Sequence, residues 1–147
     1  MNLAELVDRT SVAALDHLER ETTVPVVDGL QAQGDLIVVP FSMTQDPGNI
    51  DFGDPVPPQG VHLVQGADGR NPHVLVADPG TCRWHEYNDG TSLSIAYVDN
   101  TAPVYLLHPE HGGTGIAPGR WVIRRQRERT TMLGFFGGGS RNGLVAD

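Results

Sequence analysis

Apolar residues recur at two different spacings along this chain. Leu3, Leu6, Val7, Ala14, Leu15 and Leu18 return every three or four positions, and Asn2 stands three residues before Glu5, as in a capping box. This spacing predicts an amphipathic helix over residues 2–20. After Thr22 the pattern changes to short extended runs. Residues 35–41 are almost continuously apolar and β-branched, which predicts a strand covered on both faces. Residues 61–65, 73–77, 82–87, 103–108 and 120–126 predict further strands. Asn88-Asp89-Gly90 supplies the turn of a hairpin pairing 82–87 with 92–98, in which Leu93, Ile95 and Tyr97 share one face. Residues 44–59 carry four prolines and three acids without a period and read as a long irregular loop, as does the glycine-rich stretch between His111 and Gly119.

Many short strands behind one helix predict a mainly β fold: a small antiparallel β-barrel or sandwich with an N-terminal amphipathic helix. The expected organisation is a helix over 1–21, a β domain over 22–130 and a flexible C-terminal arm over 131–147. The helix stripe should cover the sheet of its own chain, the other candidate being a neighbouring subunit. The arm places Phe135 and Phe136 beside three glycines, and Leu144 and Val145 just ahead of Asp147. Apolar groups on a glycine tether suit docking, so Phe135, Phe136, Leu144, Val145 and Asp147 are the candidate partner-binding residues.

Composition narrows the picture. With 147 residues, 39% of them hydrophobic, one core suffices. All ten basic residues are arginine, which reads first as genome composition. The net charge of −8 argues against general affinity for nucleic acid or anionic membranes. The charge is uneven: residues 120–129 hold five arginines and Glu128, a net +4, so the rest carries −12. Such a strand suits internal pairing, with arginines stacked on Trp121 or facing cross-strand acids, or, if unpaired, an anion site. The lone Cys82 rules out an intrachain disulfide and a cysteine-based zinc cluster, and it reads as a small core residue. Without a signal-peptide pattern or an apolar run of membrane-spanning length, a cytoplasmic setting is expected, or a virion if the source is a virus of bacteria.

The remaining chemistry lies with the histidines at 17, 62, 73, 85, 108 and 111. His108 and His111 flank Pro109-Glu110, so a turn can bring both imidazoles and the Glu110 carboxylate to one side, with His73 or His85 as third ligand. Imidazole and carboxylate suit zinc, iron or manganese, and a divalent metal there would support hydrolytic or oxygen chemistry. Polar loop residues are the plainer explanation of the spacing. Other templates fail: Gly137-Gly138-Gly139-Ser140 lacks a P-loop lysine, no nucleophile elbow occurs, and Asp46, Asp51 and Asp54 lack EF-hand spacing.

Gln33-Gly34-Asp35 with the strand after it, the stretch 61–66, His108-Pro109-Glu110-His111, Pro118-Gly119, Arg124-Arg125-Gln126-Arg127-Glu128 and Val145-Ala146-Asp147 together resemble a family of short uncharacterised bacterial proteins. The resemblance spans residues 33–147 and leaves the helix outside. It implies that the histidine segments form one site, at His73, His108, Glu110 and His111. The chain departs from the family where Arg70-Asn71-Pro72-His73 replaces a Gly-His-Ala-His segment and where Arg129 replaces a tyrosine. Both departures favour a site kept for structure or binding. Two functions are therefore expected in order: a non-enzymatic interaction or structural module docking through its termini on a protein partner or another copy, or a cupin-like small barrel holding a divalent metal.

Overall fold

The computed structural model describes residues 1–11, 21–44, 53–64, 72–86 and 94–125, together with the backbone of 127–130 and 141–144. Helix α1 (Leu3–Thr10) comes first. Thirteen strands follow among the described residues: β1 (Val26–Val27), β2 (Gln31–Gln33), β3 (Leu36–Pro40), β4 (Asp54–Pro55), β5 (Val61–Val64), β6 (His73–Val76), β7 (Cys82–Glu86), β8 (Ser94–Asn100), β9 (Val104–His108), β10 (Gly112–Ile116), β11 (Gly119–Arg125), β12 (Arg127–Thr130) and β13 (Arg141–Leu144). One sheet runs β1-β10-β9-β6-β5 and a second runs β2-β3-β11-β8-β7-β4, while β12 and β13 form a separate two-stranded ladder. The architecture is mainly β and sandwich-like, with no closed barrel among the described strands. The expected hairpin is present, since β7 and β8 pair antiparallel from Cys82 opposite Asn100 to Glu86 opposite Ala96. Its turn at 88–90 lies outside the described residues.

The core follows from two-residue alternation. Leu36 and Val38 of β3, Trp121 and Ile123 of β11, and Ala96 and Val98 of β8 face Leu75 of β6, Val104 and Leu106 of β9, and Ile116 of β10. The first sheet is buried on its other face as well. There Val74, Val76, Tyr105 and Leu107 pack under Leu3 and Leu6 of α1 and Val24. Each such side chain contributes roughly 1.5 to 3 kcal/mol on leaving water. A helix of eight residues does not persist alone, so this apolar seat stabilises α1.

Four expectations change. The helix does not continue through the described residues: Ser11 adopts a left-handed conformation (φ 59) and donates its N–H to the Val7 carbonyl, closing a C-cap. Residues 12–20 lie outside the description. The glycine-rich stretch read as a loop is strand β10, in register with β9 from Gly112 opposite His108 to Ile116 opposite Val104. Glycine is needed there because neighbouring backbone lies so close: a Cβ on Gly115 would sit 2.7 Å from the Pro25 carbonyl oxygen. Ile95 and Tyr97 do not share one face, because a bulge in the β8 to β11 ladder turns Ile95 toward the inter-sheet core while Tyr97 stays outside under Phe41. Leu93 is not among the described residues. Within the stretch 44–59, Asp54 and Pro55 pair with Trp84 and Arg83 of β7, and Val56 is buried.

Candidate functional site

A two-residue loop, Gly34-Asp35, closes the hairpin of β2 and β3, with Gln33 opposite Leu36 and Gly34 at φ 56. Positive φ at the first loop position is what glycine supplies in such hairpins. Because opposed residues share a face, Gln33 points with Leu36 into the space between the sheets, where an amide must find partners. Its Nε2 donates to the carbonyls of Leu106 at 3.0 Å and Gly112 at 3.3 Å, and lies 3.3 Å from Thr114 Oγ1. These carbonyls fix the amide orientation. Gln33 Oε1 then faces His73 Nδ1 at 3.1 Å, so Nδ1 carries a proton and donates it.

The other nitrogen of His73 lies 3.0 Å from Asp35 Oδ1. His73 is fully enclosed and Asp35 is 4% exposed. With Nδ1 protonated, either His73 is an imidazolium against a carboxylate, or a protonated Asp35 donates to Nε2. Both arrangements leave the pair neutral overall, which is how a buried carboxyl and imidazole avoid the desolvation cost of a lone charge. The three residues tie the second sheet, through Gln33 and Asp35, to the first, through His73, Leu106 and Gly112.

His108 is fully enclosed beside His73, their ring centroids 4.5 Å apart. The turn at Pro109 brings the backbone N–H groups of Glu110 and His111 back onto His108 Nδ1, at 3.0 and 3.2 Å. An imidazole nitrogen that accepts has no proton, so a neutral His108 carries its proton on Nε2. The His111 ring follows 4.4 Å beyond, exposed, and lines a surface groove of about 200 Å³ with Leu3, Thr22, Thr23, Val24, Pro25, Gly112 and Gly113. Three imidazoles thus form a stack from the surface to the interior.

Of the residues expected to form a metal site, His73, His108 and His111 come together, and Glu110 is exposed and enters through its backbone N–H. His73 has both ring nitrogens on protein groups and His108 has Nδ1 so engaged. Among the described residues no three His, Cys, Asp or Glu side chains are grouped to hold a metal ion. His85, the alternative third ligand, is elsewhere, against Tyr97 on the outer face of the second sheet, with Nδ1 donating to the Glu86 carbonyl at 2.6 Å. Sequence reasoning missed Gln33 and Asp35 as site residues. The available signal was a glutamine and an aspartate on either side of a glycine, immediately before the most apolar strand. Cys82 is a buried thiol pushed up to about 12, chiefly by burial and further by Asp99, which suits packing rather than nucleophilic attack.

The same end of the sandwich is where the arginine strand leaves its sheet. Arg125, the last residue of β11, pairs with Leu36, the first of β3, and Arg124 pairs with Ser94, the first of β8. Beyond them β12 pairs with β13, Arg127 opposite Leu144 and Arg129 opposite Asn142. Trp121 is enclosed between the sheets and donates to the Ala117 carbonyl at 3.0 Å, and Arg120 faces the cross-strand Asp99 at 3.8 Å. Leu144 is thus in a strand, while Phe135, Phe136, Val145 and Asp147 lie outside the described residues. No helix among the described residues is long and apolar enough to cross a membrane.

No curated protein and no solved structure matches the chain. A family model described as a domain of unknown function, DUF8820, matches residues 32–126, from the residue before Gln33 to the one after Arg125. That span takes in the hairpin, every histidine of the stack and the arginine strand up to its exit, and leaves out α1 and the terminal ladder. The chain belongs to the DUF8820 family.

Proposed function

We propose that this protein is a non-enzymatic interaction module, a sandwich whose histidine-bearing end is a rigid root from which the C-terminal ribbon of β12 and β13 engages a protein partner or another copy. The observation that carries this reading is the exit of β11 from its sheet. Its neighbours end at Leu36 and Ser94, and the chain continues at once into a ladder that belongs to neither sheet. A two-stranded ribbon alone is marginal in water and gains order from a surface laid against it. Phe135, Phe136, Leu144, Val145 and Asp147, within or beside that ribbon in sequence, supply apolar groups and a carboxylate for such a contact. The enclosed Gln33, Asp35 and His73 cluster supports the same reading, since a sealed and paired network holds a scaffold more readily than it meets a substrate.

Deleting residues 127–147 tests it. The truncated chain should keep the melting temperature of the parent within a few degrees, followed by circular dichroism, and lose self-association or partner binding. A truncated chain that unfolds would place the ribbon in the core instead.

A second reading, a divalent metal held through His73, His108, Glu110 and His111 in a cupin-like protein, is favoured by the closeness of three imidazoles. It requires His73 to release Gln33 or Asp35. Elemental analysis of the purified protein, with zinc added and then dialysed away, distinguishes the two: one metal per chain supports this reading, and a metal-free chain removes it.

A further inference from the structure

We infer that the groove at the surface end of the imidazole stack is a binding site for a small planar heteroaromatic molecule, neutral or cationic, whose ring lies against His111. The ribbon plays no part in it. The groove measures about 200 Å³. A protein cavity of about 150 Å³ can hold benzene, and pockets for drug-sized ligands begin near ~300 Å³, so this space suits one ring or two fused rings. His111 is exposed and is the outermost ring of the stack, its centroid 4.4 Å from that of His108. Gly112 and Gly113 give the groove a floor of bare backbone. A Cβ on Gly113 would stand 2.9 Å from Leu6 Cδ1 and 3.2 Å from Val24 Cγ2, so a side chain there would crowd the space that α1 and Val24 frame. Leu3, Val24 and Pro25 supply aliphatic surface.

The stack selects the shape of the ligand. Its rings already lie 4.5 and 4.4 Å apart, and a further planar ring on His111 continues that spacing, gaining more than its burial alone. Charge selects among planar rings. Within two residues of the lining along the chain stand Glu5, Glu21 and Glu110, all exposed, and no basic side chain among the described residues. A ligand carboxylate would meet like charge there, whereas an amine meets its complement. Thr22 and Thr23, also exposed, add hydroxyls that can accept from a ring N–H.

Titrating the full-length chain with tryptamine, indole and indole-3-acetate, followed by amide shifts in NMR spectra, tests the site. The three probes share one ring system and differ in charge, and EDTA in the buffer keeps any metal at the histidines from supplying the contact. Tryptamine should give saturating shifts centred on Thr23, Gly112 and Gly113 at millimolar concentration or below, with indole weaker and indole-3-acetate weakest. Cyclohexylamine, which carries the charge without the flat ring, should not saturate. His111→Ala should weaken tryptamine binding about tenfold through lost stacking and burial, and His111→Phe, which keeps a ring, should stay near the parent. Both variants retain the backbone N–H that His108 Nδ1 accepts, and matching melts by circular dichroism verify the fold. No saturation by tryptamine, equal affinity for cyclohexylamine, or unchanged affinity in His111→Ala overturns the site. Indole-3-acetate binding as tightly as tryptamine overturns the preference for a neutral or cationic ring.

Discussion

The two sheets are buried in different ways. In the first, β6 and β9 are enclosed at every position, because one face meets the second sheet and the other lies under α1 and the segment ending at Val24. In the second, β11 buries Trp121 and Ile123 inward, and its outer face passes from Val122 and Tyr97, under Phe41, to the Arg120 and Asp99 pair. The first sheet therefore depends on a roof laid over it and the second on alternation within its strands. A third element, the cluster of Gln33, Asp35 and His73, joins the two at one end. If this division is correct, damage to the joint should cost most, damage to the seat of the roof less, and damage to the roof's own helix least.

The joint gives the largest effect. Asp35→Ala removes the group facing His73 Nε2 inside the protein, and breaking a buried carboxyl–imidazole pair by removing one partner costs about 3 to 5 kcal/mol. Urea denaturation should show that loss as a lower midpoint with an unchanged slope. Combining Asp35→Ala with His73→Ala should cost less than the two single changes added together, since neither partner is then left stranded. A single-variant loss below about 1 kcal/mol would put Asp35 outside the joint, at the level of an ordinary surface change.

The seat of the roof is next. Gly115→Ala should cost about 1 to 3 kcal/mol, because the new methyl group meets the Pro25 carbonyl oxygen and Val26, which are held by strand pairing. Gly113→Ala should cost less. Its nearest obstacle, 2.9 Å away, is Leu6 Cδ1, the end of a side chain that can turn aside. Equal losses at the two positions would show that the helix is as rigidly seated as the β1 edge. The comparison is read by thermal melting of both variants.

The same division explains what the sequence makes legible. The β7 to β8 hairpin and strand β11 could be read because alternating and apolar runs survive wherever strand side chains divide between an interior and an exterior face. β10 could not, since its partners come so close that glycine replaces the side chains from which a strand pattern is read. Alternation groups Ile95 with Tyr97, and the structure separates them, because a single extra residue in a bulge reverses the parity of everything on one side of it. At the site, the histidines announced themselves through spacing, but the cluster is organised by Gln33 and Asp35, whose roles depend on a hairpin turn and on carbonyls more than 70 residues away in sequence. Spacing along the chain carries no record of such partners.

The smallest effect belongs to the start of the roof. Asn2 holds an extended backbone conformation and its Oδ1 accepts the Glu5 N–H at 2.9 Å, while its carbonyl accepts from Leu6 at 3.2 Å. The side chain thus satisfies one of the amide groups that the first helical turn leaves without a partner. Position 2 is also fastened from outside, by a bridge to Thr23 and by the neighbouring bond from the Val24 N–H to the Met1 carbonyl at 2.9 Å. Those bonds use the backbone alone and survive a change of side chain. Asn2→Ala should therefore cost about 1 kcal/mol, and Asn2→Gly only a few tenths. Asn2→Asp should hold stability close to the parent, since a carboxylate caps the same amide and faces the positive end of the helix dipole. Urea midpoints in that order, with aspartate above glycine and glycine above alanine, identify the cap as a separate contribution to the roof. Three equal midpoints would instead mean that the burial of Leu3 and Leu6 fixes α1 without it.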